Sequence, residues 1–294
     1  MYSIKDLENI SGIKAHTIRI WEKRFNILEP LRTETNIRLY DAANLQKLLN
    51  ITLLHNHGYK ISKISQHPSE KIPSLVKDIV TIKTFKSHAI NAFKMAMLDF
   101  DQNKFYEAYE ELLTDKSFTD IFKEIFIPLL NEIGFLWQTN TITAAHEHFI
   151  SNLIKQKLCA EIDKVLKSQK IIEDRVFILF LPSQEAHDLG LKYLSYEIAK
   201  NGYAFLYLGE NIDINDLKKI ATQFDNPVFL TNVHHPIDAE SLNLYINKIQ
   251  DAILSKNNNS NLWITGNATK QIQLEDLIPQ TKIFNSLDHI LKTL

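Results

Sequence analysis

The segment from Arg175 to Gly190 constrains the fold more than any other part of the chain. Arg175-Val-Phe-Ile-Leu-Phe-Leu181 is an uninterrupted apolar run, of a length suited to a parallel strand buried on both faces. Pro182-Ser183-Gln184 breaks the run with turn-forming residues, and Leu191, Leu194, Ile198 and Ala199 then recur at helical spacing. A strand, a polar loop and a helix in that order open a βαβ unit. The loop Glu185-Ala186-His187-Asp188-Leu189-Gly190 sets a histidine between two carboxylates just past the carboxyl end of the strand, the edge at which open α/β sheets bind ligands. The residues alone leave two readings of His187: a loop histidine that helps Asp188 cap the helix, or a metal ligand whose second ring nitrogen is held by Glu185 or Asp188.

Further apolar runs at 203–208, 228–233, 262–265 and 282–284 alternate with helical patterns near 214–224, 238–256 and 269–278. This predicts a five-stranded, doubly wound parallel sheet over 174–294. Asn257-Asn258-Asn259-Ser260-Asn261 reads as a polar turn. Between about 74 and 166 the apolar residues fall three and four apart: Leu75, Ile79 and Ile82; Phe93, Met97 and Phe100; Ile121, Ile125 and Leu129; Phe149, Leu153 and Ile154. With turns near 101–103, 114–117 and 138–140, that spacing predicts an antiparallel bundle of four helices. Trp137 closes one of them, and His146, Glu147 and His148 open the next.

The first 70 residues form a third domain, separated from the bundle by the proline-bracketed linker 67–73. Ser3 is a plausible N-cap for a short helix, Gly12 supplies a turn, and a second helix over 14–25 ends before Pro30. Residues 32–40 read as a ribbon, or wing, and Asp41 can cap a helix from 42 to 57. Residues 1–66 hold ten Lys/Arg against six Asp/Glu, a net of +4, whereas the whole chain carries −2. A basic end on an acidic body suits contact with an anion such as nucleic acid. Trp21 is expected in the core of this small domain, and Glu22 to pair with Arg19 or with a wing arginine.

A hydrophobic content of 45% with 23% charged residues is that of a soluble globular protein. No apolar stretch reaches a membrane span and the first residues form no signal peptide, so a cytoplasmic location without membrane contact is expected. The single cysteine, Cys159, excludes an internal disulfide and a thiolate metal cluster within one chain. His234 and His235 do not make a second metal site, since neighbours on a strand point to opposite faces.

Three motifs carry resemblances. Arg19-Ile-Trp21-Glu22-Lys-Arg24, Leu28-x-Pro30-x-Arg32 and Asn36-x-Arg38-x-Tyr40 resemble the winged helix-turn-helix of MerR-type transcription regulators. The resemblance implies double-stranded operator DNA as partner, with the second helix in the major groove and the wing on the backbone. His16, Thr17, Arg19, Lys23, Arg24, Arg32, Asn36, Arg38 and Tyr40 become the DNA-facing candidates. Trp137-x9-Glu147-His148 is similar to the bundle signature of cobalamin-dependent MerR-type photoreceptors, the CarH and LitR group, and implies that these three residues wall the upper face of a corrin. Glu185-x-His187-x-x-Gly190 resembles the cobalamin signature of corrinoid proteins, in which the histidine is the lower ligand of cobalt.

The same resemblance adds Asp188, Leu208, Gly209, Thr231, Val233, Gly266 and Asn267 to the cofactor-binding set. Three positions depart from it. Thr231-Asn232-Val233 stands for Ser-x-Leu, Gly266-Asn267 for the Gly-Gly that opens room for the nucleotide tail, and Gln138 for a histidine that ligates cobalt after illumination.

The chain is therefore expected to be multidomain: an all-α winged helix-turn-helix (1–70), a helical bundle (74–166) and a Rossmann-like cobalamin-binding α/β domain (174–294). The expected function is a non-enzymatic DNA-binding regulator, a repressor, in which adenosylcobalamin with His187 on cobalt controls assembly into dimers or tetramers, with a response to light that Gln138 makes weaker or shorter-lived than in the histidine-bearing relatives. The alternative is a cofactor-independent regulator whose sheet domain serves protein contacts, with a protein antirepressor as partner. A corrinoid-dependent methyltransferase subunit would account for His187 but leave the winged domain without purpose.

Overall fold

The computed structural model describes residues 1–294 apart from 57, 74, 76–81, 169–171, 184, 234–238 and 255–258. Its contacts divide the chain into two compact units, Met1–Ile154 and Lys155–Leu294.

The first unit begins with β1 (Tyr2–Ser3), α1 (Ile4–Ser11) and α2 (Ala15–Phe25). Ser3 caps α1 in a reciprocal box: the Asp6 N–H donates to Ser3 Oγ at 3.2 Å and the Ser3 N–H to Asp6 Oδ2 at 2.8 Å. Gly12 ends the helix at φ 75°, a left-handed conformation that glycine adopts without strain. β2 (Leu31–Arg32) and β3 (Arg38–Tyr40) form the wing, and β1 pairs with the far side of β3 in a three-stranded antiparallel sheet ordered β1-β3-β2. β2 and β3 are the ribbon expected over 32–40, and β1 is an addition, because two residues ahead of a helix carry no alternation from which a strand can be read. Asp41 accepts from the Asn44 N–H at 2.8 Å at the start of α3 (Ala42–Asn56), and α4 (Ile61–Ile64) follows.

The helical region comprises α5 (Ile82–Leu98), α6 (Gln102–Leu113), α7 (Phe118–Ile121), a π-helical stretch Phe122–Phe126 leading into α8 (Ile127–Gln138), and α9 (Ala144–Ser168). Phe93, Phe105, Phe122 and Phe126 are buried between the helices, with the Phe93 ring 5.1 Å from Phe105 and 5.4 Å from Phe126. Ile79 of the expected first bundle helix lies outside the described residues.

The second unit holds β4 (Ile172–Phe180), α10 (Leu189–Lys200), β5 (Tyr203–Gly209), α11 (Ile214–Ala221), β6 (Pro227–Asn232), α12 (Ala239–Ile249), β7 (Asn261–Thr265), β8 (Thr281–Phe284) and α13 (Leu287–Leu291). All neighbouring strands are parallel, in the order β5-β4-β6-β7-β8. Alternation along β4 divides the core. Phe177 and Leu179 pack under Leu191, Leu194 and Ile198 of α10 and Ile290 of α13. Ile178 and Phe180 pack under Leu217 of α11 and Leu242 and Ile246 of α12. The chain reverses its winding between β4 and β6, the switch point beside which the His187 loop emerges.

Two sequence expectations are corrected in this unit. The segment 269–278 is not a helix but two 3-10 turns, Asn267–Gln271 and Leu274–Asp276. The helix expected at 238–256 is α helical only to Ile249 and then π-helical over Gln250–Leu254. His234, His235 and part of the asparagine turn lie outside the described residues.

Candidate functional site

The winged domain presents one basic stripe. His16, Arg19, Ile20, Lys23 and Arg24 are exposed on α2, opposite buried Ile18 and Trp21, as the three-and-four spacing of one helical face requires. Thr17 is partly buried, its hydroxyl 3.3 Å from His16 Nε2. On the exposed wing Arg32 Nη1 donates to Asn36 Oδ1 at 2.6 Å, and Asn36 holds the turn at φ 62°.

Two of the residues assigned to DNA do not face outward. Tyr40 is fully buried, and its hydroxyl donates to Glu22 Oε2 at 2.9 Å. Burial, and then the Glu22 hydrogen bond, push its phenol well above the ordinary range. Arg38 is partly buried, and its Nε donates to both Glu22 oxygens at 3.0 and 3.1 Å. Glu22 therefore pairs with the wing arginine and ties β3 to α2. Tyr40 is corrected from a phosphate contact to a core residue because a three-residue strand on a small domain needs one side chain to anchor it.

In the helical region Trp137 is 53% exposed on the last turn of α8. Glu147 Oε2 lies 2.7 Å from His148 Nδ1, and the His148 ring is exposed. His146 is engaged differently. Its Nδ1 accepts from the Thr143 N–H at 3.2 Å and lies 2.8 Å from Thr143 Oγ1, and its ring stacks on Phe100 at 4.5 Å. Burial lowers the His146 pKa below its ordinary value.

At the carboxyl edge of the sheet the geometry resolves the role of the two acids. Glu185 is buried, and its Oε1 accepts from the His187 main-chain N–H at 3.0 Å and lies 2.6 Å from the ring Nδ1. The imidazole stays 67% exposed, so the ring is oriented through Nδ1 while its edge faces outward. Asp188 pairs instead with Lys155 Nζ at 2.6 Å and makes no side-chain cap to α10. Nearby, burial raises the Tyr207 pKa and Asp188 adds to it.

Leu208 and Gly209 end β5, with Gly209 at φ 79° and its carbonyl accepting from the Leu181 N–H at 2.8 Å. Thr231 and Val233 are buried, and Thr231 Oγ1 has no hydrogen-bond partner among the described residues. Gly266 is obligatory: at φ 112° a Cβ there would stand 2.3 Å from the Val233 carbonyl oxygen. Asn267 is exposed and starts a 3-10 turn. A lone imidazole clamped by a buried carboxylate fits a metal that brings its own macrocycle, as cobalt does in a corrin. Among the described residues no group of three or more His, Cys, Asp or Glu side chains is arranged to cage a bare ion.

Sequence reasoning missed Lys155 as the partner of Asp188, and Asn232, which is buried against the His187 loop. No local pattern marks either one.

Residues 2–70 match the family described as MerR HTH family regulatory protein, and residues 89–160 match the B12 binding domain. The chain thus carries a segment similar to a MerR-type helix-turn-helix, a segment similar to a B12 binding domain and a parallel α/β sheet, an organisation that fits a DNA-binding regulator with cobalamin. Among individual proteins it is 24% identical over 223 residues to the HTH-type transcriptional repressor CarH of Myxococcus xanthus, covering 74% of this chain and 73% of that one. It is also 24% identical to the repressor CarA of the same organism over 209 residues, 70% of this chain and 67% of the other. The monomethylamine corrinoid protein of Methanosarcina barkeri shares the fold, with a TM-score of 0.57 at 12% identity over 71% of this chain and all of that one. No helix among the described residues is long and apolar enough to cross a membrane.

Proposed function

We propose that the protein is a transcriptional repressor that binds duplex operator DNA through α2 and the wing, and that adenosylcobalamin held by His187 sets how many chains assemble on that DNA. The observation that carries this reading is the clamp of Glu185 on His187. A buried carboxylate fixes the tautomer and aim of the exposed ring, which leaves Nε2 as the nitrogen for cobalt. Thr231 brings a buried hydroxyl to the same edge. Bound adenosylcobalamin would supply a photolabile cobalt–carbon bond, and with it a response to light. Coupling to DNA follows from linkage: a ligand that favours one assembly changes how many winged domains engage neighbouring sites together.

Reconstitution with adenosylcobalamin tests the reading. The purified protein should retain a red chromophore whose visible spectrum His187→Ala alters. Retention no better than that of an unrelated protein rejects the assignment. Operator affinity that ignores added cobalamin would favour the sheet domain as a protein-contact module, with an antirepressor as the effector.

A further inference from the structure

We propose that Asn232 is a plug at the sheet edge where the nucleotide tail of a corrinoid would enter, so that cobalamin binds here at the cost of displacing the Asn232 amide, a cost that a tail-less corrinoid avoids. The inference rests on the corrinoid reading above. Asn232 is the last residue of β6 and is 3% exposed. Alternation along the strand puts its side chain on the face of Leu230, the one covered by α10 and α13. Its Nδ2 donates to the His187 carbonyl at 3.4 Å. A Cβ on Gly190 would stand 3.5 Å from the same nitrogen, and a Cβ on Gly266 would stand 2.7 Å from Asn232 Oδ1. One carboxamide is therefore enclosed by the histidine loop, the first turn of α10 and the residue that leaves β7.

The Asn232 amide packs against Gly190 at van der Waals distance and, together with the Val233 carbonyl, closes the space beside Gly266. A heterocyclic base moving past His187 toward the α10 face must displace the amide and break its bond to the loop that presents the imidazole. The corrin ring itself needs only the exposed edge of His187. The discrimination thus falls on the tail and not on the ring. Nothing in the sequence distinguishes position 232, the middle residue of Thr231-Asn232-Val233.

The test is a visible-spectrum titration of the full chain with hydroxocobalamin and with the tail-less hydroxocobinamide. The parent should hold cobinamide at least as tightly as cobalamin. Asn232→Gly and Asn232→Ala should move the ratio toward cobalamin by about tenfold or more, the scale of relieving a steric overlap in a packed site, with cobinamide affinity nearly unchanged. Asn232→Leu, which keeps the branched shape and fills at least the same space but makes no hydrogen bond, should keep the parental ratio. An unmoved ratio in the Gly and Ala variants, or a parent that prefers cobalamin, overturns the plug while leaving the corrinoid reading intact. Failure of both corrinoids to bind parent and variants rejects that reading and the plug with it.

Discussion

Glu22 in the winged domain and Glu185 at the sheet edge are both little-exposed carboxylates that grip a basic neighbour, yet they do opposite things with it. Glu22 draws Arg38 and the Tyr40 hydroxyl inward, so the chemistry that looks fit for phosphate is spent on holding β3 against α2. Glu185 grips His187 through one ring nitrogen and the main-chain N–H and leaves the imidazole 67% exposed. The difference lies in the scaffold. A short wing has few apolar residues with which to anchor itself and recruits polar ones, whereas a five-stranded parallel sheet has a complete core and can leave a histidine exposed.

The sharpest way to break this comparison is to remove each carboxylate. Glu22→Gln should destabilise the winged region by about 2–3 kcal/mol, because it leaves a partly buried guanidinium and a buried hydroxyl short of a charged partner. Urea melts and operator titrations should both register the loss, with corrinoid retention unaltered. Glu185→Gln should do the reverse. Its amide still accepts the main-chain N–H, so the melt should move by no more than about 1 kcal/mol. Corrinoid affinity should nonetheless fall about 10- to 100-fold, as for other groups that orient a metal-binding histidine. Equal effects of the two substitutions on folding would show that Glu185 is also a clasp.

The cations sharpen the same contrast at smaller scale. Lys23→Ala and Arg24→Ala should each reduce the logarithmic salt slope of DNA binding by about one, because each removes an exposed cation from the proposed DNA-facing stripe. Arg38→Ala should weaken binding through loss of wing stability while leaving that slope unchanged. A flattened slope in Arg38→Ala would return it to the interface.

The smallest expected effect concerns pH. The folded-state pKa of His146 lies below its ordinary value of 6.5 because of burial. The unfolded chain therefore takes up the proton first. Stability from the neutral, stacked ring is present above pH 6.5 and declines as pH falls through that value. His146→Phe should keep the stack on Phe100 and lose this acid sensitivity. Parallel melts of parent and variant at neutral pH and near pH 5 provide the check, and identical slopes would remove His146 as the cause.

Most of the architecture was legible because its signals are local. The apolar run before Pro182, the Gly12 turn, the Ser3 cap and the three-and-four spacing of the bundle each report backbone geometry within a few residues. The histidine edge was legible for the same reason, since its place follows from strand, loop and helix in series. The helix expected at 269–278 failed because apolar spacing over ten residues does not separate an α helix from two 3-10 turns. The inward turn of Tyr40 was not readable, because Glu22 lies 18 residues away and an arginine and a tyrosine on a ribbon suit phosphate equally well.

The amino-acid sequence by itself determined the order of modules, the parallel sheet and the placing of His187 at its carboxyl edge, all of which depend on periodicity and turn chemistry along the chain. Only the tertiary structure decided which carboxylate holds His187, which wing residues are buried, and that Asn232 lies between Gly190 and Gly266. Those outcomes depend on side chains brought together from distant strands and helices, and no spacing within one segment encodes them.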